Sequence, residues 1–135
     1  MKKKICIIVS AYYPKISRNL INGVLKNFKK NRIKNYKKIL APGVFEIPVI
    51  IAKNIYKFDA FVALGCVIRG ETPHFEYISR STIDGLMQIS IKYKKPIGNG
   101  ILTCLNKKQA LIRSSPILKD KGGEAAEAIF SVLKN

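Results

Sequence analysis

Two stretches constrain the fold of this chain more than any other feature. KICIIVS (Lys4–Ser10) and AFVALGC (Ala60–Cys66) are nearly unbroken apolar runs no longer than a strand. A strand with one face in water alternates apolar and polar residues, whereas an unbroken run means that both faces are covered, as in parallel sheets. YKKILA (Tyr36–Ala41) and IGNGILT (Ile97–Thr103) are further runs of strand length. The segments between them have helical spacing. Ser17–Lys30 sets Leu20, Ile21, Val24, Leu25 and Phe28 on one face, with Ser17 as the expected N-cap. Phe45–Tyr56 carries Ile47, Ile50, Ile51 and Ile55, and His74–Tyr93 carries Ile78, Ile83, Leu86, Met87, Ile89 and Ile91, weakened at Gly85. Lys107–Arg113 reads as a short helix, and Lys121-Gly122-Gly123 as a break before a last helix, Glu124–Lys134. The order β-α-β-α-β-α-β-α-α predicts one α/β domain over residues 1–135, with helices on both faces of a parallel sheet.

Composition narrows the classes of function. With 47% hydrophobic residues in 135, the chain has the apolar content for one core, and it lacks the low hydrophobicity of disordered segments. Its 25 basic and 8 acidic residues give a net charge of +17, which raises the question of a nucleic-acid or anionic-membrane partner. Arginine occurs only at positions 18, 32, 69, 80 and 113, and the lysines are spread along a chain also rich in Ile and Asn. That pattern fits compositional drift better than a binding stripe, so neither nucleic acid nor membrane is the expected partner. Cys6, Cys66 and Cys104 show no paired spacing, which points to free thiols and a reducing, cytoplasmic compartment. The apolar run after MKKK is too short for a secretion signal, and no stretch reaches the length of a membrane span.

In open parallel sheets, ligands bind beyond the carboxyl ends of the strands. The unusual residues gather there: Tyr12-Tyr13-Pro14 after strand one, Pro42-Gly43-Val44-Phe45-Glu46 after strand two, Gly65 to His74 after strand three, and Asn99-Gly100 at strand four. Gly70-Glu71-Thr72 precedes a helix, whose N-terminal N–H groups suit a phosphate; alternatively Thr72 simply caps the helix and Glu76 complements its dipole. His74 is the only histidine. It is either a surface residue or, beside a phosphate seat, a proton carrier for carbonyl chemistry. No metal is expected, because no Cys, His or carboxylate cluster has ligand spacing. Glu46 could accept hydrogen bonds from a polyol, or merely face a helix dipole. Tyr12 could stack on a planar ring, or be an ordinary loop aromatic. Arg113 could pair with a phosphate, or complement a helix C-terminus.

Taken together, APGVFEIP (Ala41–Pro48), ALGCVIRGETPHFEY (Ala63–Tyr77), NGILT (Asn99–Thr103), QALIR (Gln109–Arg113) and KGGEAAEA (Lys121–Ala128) resemble the motifs of lumazine synthases, in that family's order and over almost the whole chain. The resemblance implies a flavodoxin-like three-layer α/β/α sandwich with a four-stranded parallel sheet, assembled into ring pentamers with sites between neighbours. It implies the condensation of 5-amino-6-(D-ribitylamino)uracil with 3,4-dihydroxy-2-butanone 4-phosphate to 6,7-dimethyl-8-ribityllumazine, phosphate and water. That is the penultimate step of riboflavin biosynthesis, and the family uses no cofactor or metal. By similarity, Tyr12 stacks on the pyrimidine, and Val44, Phe45 and Glu46 line the ribityl and ring site. Cys66, Val67 and Ile68 bind the pyrimidine through backbone groups, and Glu71 and Thr72 seat the butanone phosphate. His74 transfers protons, Arg113 of an adjacent subunit grips the phosphate, and Lys121 is a further basic group near it.

Some positions depart from the family pattern. Asn99 stands where many members have Phe, so it joins the ring pocket as a variant residue. The chain begins directly at the first core strand, and Ser115-Pro116-Ile117-Leu118 replaces a Gly-rich turn common in shell-forming members. Both favour a free pentamer over a sixty-subunit capsid. The competing readings are a flavodoxin-like protein that binds a phosphosugar or flavin, and a basic nucleic-acid-binding module. The second has no use for His74 or Glu46.

Overall fold

A computed structural model describes residues 2–135. The apolar runs form strands β1 (Ile5–Ser10), β2 (Tyr36–Ala41), β3 (Ala60–Ile68) and β4 (Ile97–Cys104) of one parallel sheet, ordered β2-β1-β3-β4. Between and after them lie helices α1 (Pro14–Lys30), α2 (Ile47–Lys53), α3 (His74–Tyr93), α4 (Lys107–Ser114) and α5 (Lys121–Leu133). The expected three-layer α/β arrangement around a four-stranded parallel sheet is therefore present.

The unbroken apolar character of β1 has a direct cause. Its odd residues Ile5, Ile7 and Val9 face a core shared with Leu20, Val24 and Phe28 of α1 and Ile129 and Phe130 of α5. Its even residues Cys6 and Ile8 face a second core with Ile47 and Ile51 of α2 and Leu86 of α3. Both faces are dry, so neither can be polar. At the sheet edge, β2 pairs only with β1 and is largely exposed, with Lys37 and Lys38 in water.

Several helix boundaries differ from the sequence expectation. α1 begins at Pro14, not Ser17, because proline fits the first helical turn, where no N–H partner is needed. Ser17 is inside the helix, buried, with its hydroxyl donating to the Pro14 carbonyl at 2.9 Å. The expected Phe45–Tyr56 helix is a 3-10 turn over Val44–Glu46 followed by the shorter α2. Pro73, not Thr72, occupies the N-cap of α3, and no side chain caps that end.

The largest correction concerns α5. Lys121-Gly122-Gly123 is its first turn rather than a break. Asp120 caps it from the left-handed region (φ 46°), accepting a hydrogen bond from the Gly123 N–H at 3.2 Å. Gly122 is required by packing: any side chain there would run into the Leu20 carbonyl of α1. No helix among the described residues is long and apolar enough to cross a membrane.

Candidate active site

The strand order places β1 between β2 and β3, so the chain's path across the sheet reverses at the β1–β3 gap. A crevice at the carboxyl ends of such strands is where open α/β sheets take ligands. A cavity of about 520 Å³ lies there. Its volume is that of a small-molecule site.

Each wall follows from local sequence. β1 ends at Ser10, opposite Gly65, whereas β3 runs on through Cys66, Val67 and Ile68, paired there only with β4. These three residues, read from sequence only as far as Cys66, form the overhanging wall of the cavity. On its β1 side, this wall presents strand backbone with no strand beside it. Val44, Phe45 and Glu46 supply the opposite wall from the 3-10 turn after β2. Val44 is buried and Phe45 is 57% exposed. Val44 is set against β3 at Gly65, where an added methyl would come within 2.6 Å of Val44 Cγ1. The Glu46 carboxylate folds back over Gly43, and the Glu46 N–H donates to the Gly43 carbonyl at 3.3 Å. Tyr12 stands at the mouth, 75% exposed, and His74 closes the cavity from the first residue of α3.

The cavity thus brings together Tyr12, Val44, Phe45, Glu46, Cys66, Val67, Ile68 and His74. Ser10, Tyr13, Gly43 and Ile78 line it too, although the sequence assigned none of them a role. Two of these had readable signals: Tyr13 adjoins Tyr12, and Ile78 lies four residues, about one helical turn, after His74.

The other expected residues stand outside this cavity within a single chain. Glu71 and Thr72 are exposed on the loop between β3 and α3. Asn99 is not at a strand end, because β4 continues to Cys104; it opens instead into a small separate recess with Leu86 and Met87. Its side-chain carbonyl accepts from the Ile101 N–H at 3.1 Å. Arg113 is exposed in the last turn of α4, near Cys104 at the far side of the sheet's carboxyl edge. Lys121 pairs with Glu124 at 3.2 Å at the start of α5.

The thiols at the site are held neutral. Burial pushes the Cys66 thiol up to about 12, and the neighbouring Cys104 pushes the same way. Burial also raises Cys104, with the Arg113 charge pulling against it. Burial raises the Tyr13 phenol, with Cys66 and Tyr12 adding to the effect. Cys66 therefore lines the cavity as a small apolar group rather than as a nucleophile. Among the described residues, no three His, Cys, Asp or Glu side chains gather as a metal site would require.

A family model described as 6,7-dimethyl-8-ribityllumazine synthase matches residues 2–135. The chain belongs to that family. Among its relatives is the 6,7-dimethyl-8-ribityllumazine synthase of Bartonella tribocorum, 41% identical, with 98% of this chain and 91% of the relative aligned. That of Cutibacterium acnes is 37% identical over 96% of this chain and 80% of its own. That of Renibacterium salmoninarum is 38% identical over 93% and 84%. The lumazine synthase motifs seen in the sequence map onto both walls of the cavity and onto the distant Asn99, Arg113 and Lys121.

Proposed function

We propose that the cavity at the β1–β3 gap is where this chain condenses 5-amino-6-(D-ribitylamino)uracil with 3,4-dihydroxy-2-butanone 4-phosphate. The products are 6,7-dimethyl-8-ribityllumazine, phosphate and water, in the penultimate step of riboflavin biosynthesis. One observation carries the reading: an aromatic ring, a carboxylate, an imidazole and open strand backbone converge on one ligand-sized space at the switch point.

In this reading each group acts through its chemistry. Tyr12 stacks on the pyrimidine, and the overhang of Cys66, Val67 and Ile68 offers backbone donors and acceptors to its polar edge. Val44 and Phe45 enclose the ring, and Glu46 accepts hydrogen bonds from ribityl hydroxyls. The amine attacks the ketone carbonyl and a first water leaves to form a Schiff base. Phosphate is then eliminated, and the ribitylamino nitrogen closes the second ring on the carbonyl so formed, with loss of a second water. Holding both reactants in register supplies much of the rate. His74 relays protons, and Glu71, Thr72 and the α3 N-terminus seat the phosphate, where cations stabilise its departure. The chain's own residues suffice for this, without metal or cofactor.

Arg113, Asn99 and Lys121 lie off the cavity, so their contributions come from an adjacent copy. A cavity completed by a different patch of the next chain is a heterologous contact, the kind that builds a ring when its rotation closes. The surface supports such packing: α3 leaves Tyr77, Met87 and Ile91 each at least 60% exposed, and Ile117 after α4 is 86% exposed. A free cytoplasmic pentamer is the proposed assembly, and three buried free thiols suit a reducing compartment. The test mixes the purified protein with both substrates and follows lumazine absorbance. Product no faster than the uncatalysed rate would end the reading, and sedimentation as a megadalton particle would end the pentamer.

A further inference from the structure

Tyr13 was not assigned a role from the sequence, yet it lines the cavity beside Tyr12. The two rings meet edge to face, with centroids 4.9 Å apart and planes at 80°. Their situations are opposite. Tyr12 is 75% exposed, so the described residues of its own chain leave most of its ring open. Tyr13 is partly buried and packs against the core formed by β1, α1 and α5, a core that also includes Cys66. Its backbone is fixed as well. Pro14 follows and confines it to extended geometry, observed at φ −112° and ψ 95°. Its carbonyl accepts the Ser17 N–H at 3.0 Å, tying it to the first turn of α1.

We infer that Tyr13 is a positioning residue for the ring substrate: its ring, in edge-to-face contact with Tyr12, holds the exposed Tyr12 ring at the angle needed to stack on the pyrimidine. A stacking surface free to rotate must be ordered when the substrate binds, and that cost weakens binding. An edge-to-face partner fixed to the core removes part of the cost in advance. The function resides in the ring of Tyr13, not in its hydroxyl. The butanone phosphate does not depend on this pair, since its seat is at α3 and at Arg113. This inference rests on the proposed condensation and on Tyr12 as its stacking platform.

Steady-state kinetics with each substrate varied in turn tests it. Tyr13→Leu is expected to raise KM for the ribitylaminouracil about three- to tenfold, the range of an aromatic pair. KM for the butanone phosphate and kcat should stay at wild-type values, and Tyr13→Phe should restore the wild-type pattern. In Tyr12→Leu, adding Tyr13→Leu should cause no further loss, because the ring being held is gone. Should Tyr13→Leu fail to accumulate as folded protein, Tyr13→Met carries the same expectation, keeping apolar bulk without a ring edge. A rise in both KM values, a fall in kcat alone, no rescue by Phe, or additive effects of the two leucines would each overturn the role. Wild-type turnover separates the two readings. No turnover by the wild-type protein overturns the function and this inference together, whereas wild-type turnover with the wrong KM pattern in the variants overturns this inference alone.

Discussion

Cys66 joins two properties that rarely coincide, since it lines a ligand-sized cavity and yet holds its thiol protonated far above neutrality. With Cys6, which burial likewise raises to about 12, it makes stability depend on alkaline pH. Both thiols bind their protons more tightly in the folded chain than at the ordinary value of 9.0. Their stabilising contribution is complete below pH 9 and is lost as pH rises from there toward 12. The urea midpoint should therefore fall between pH 8.5 and 10.5, and Cys6→Ala should flatten that decline even if its absolute midpoint is lower. An unchanged slope in Cys6→Ala would remove the thiol from the account. The burial of Cys6 was legible because it stands inside an unbroken apolar run. Tyr13 was not legible in the same way. Its value comes from an edge contact and a core contact, and a sequence shows adjacency without showing which neighbour is anchored.

The instructive element is α5. Two consecutive glycines read as a break, because glycine weakens helices through its conformational freedom. Here they start the helix, and the reason is a contact made about a hundred residues away in the chain, where the α5 backbone closes on the Leu20 carbonyl. Gly122→Ala should improve local helix propensity and still lower stability by about 1–3 kcal/mol, the usual cost of overpacking. Chemical denaturation measures it; a more stable variant would show that α1 and α5 can move apart at no cost. The positions of β1 and β3, by contrast, were readable to within two residues, since burial on two faces leaves its mark along the run itself. The overhang of β3 past β1 was not readable, because it depends on where a different strand stops. That overhang makes the cavity wall. The placement of Asn99 differs for a related reason: flanked by Gly98 and Gly100 it reads as a strand end, and the strand continues past it to Cys104.

At the scale of the molecule, one chain supplies a cavity and, elsewhere, the cation that the cavity lacks. If Arg113 serves a neighbour, two inactive variants should complement each other. Arg113→Ala keeps a sound cavity, and Glu46→Arg spoils the cavity while keeping the arginine. Co-expressed in equal amounts, random ring assembly should return about a quarter of wild-type sites. Activity no greater than the sum of the two variants alone would place Arg113 in its own chain's site.

The exposed β2 edge bears on how assembly ends. Among the described residues no strand pairs with its outer edge, and such a row is a template on which another strand can grow. Lys37 and Lys38 stand on that row in water, and every copy carries the same pair. Two such edges brought together would set lysine against lysine. Fibril-like polymerisation through the sheet is thereby discouraged, and copies are left to meet through side-chain surfaces whose geometry can close.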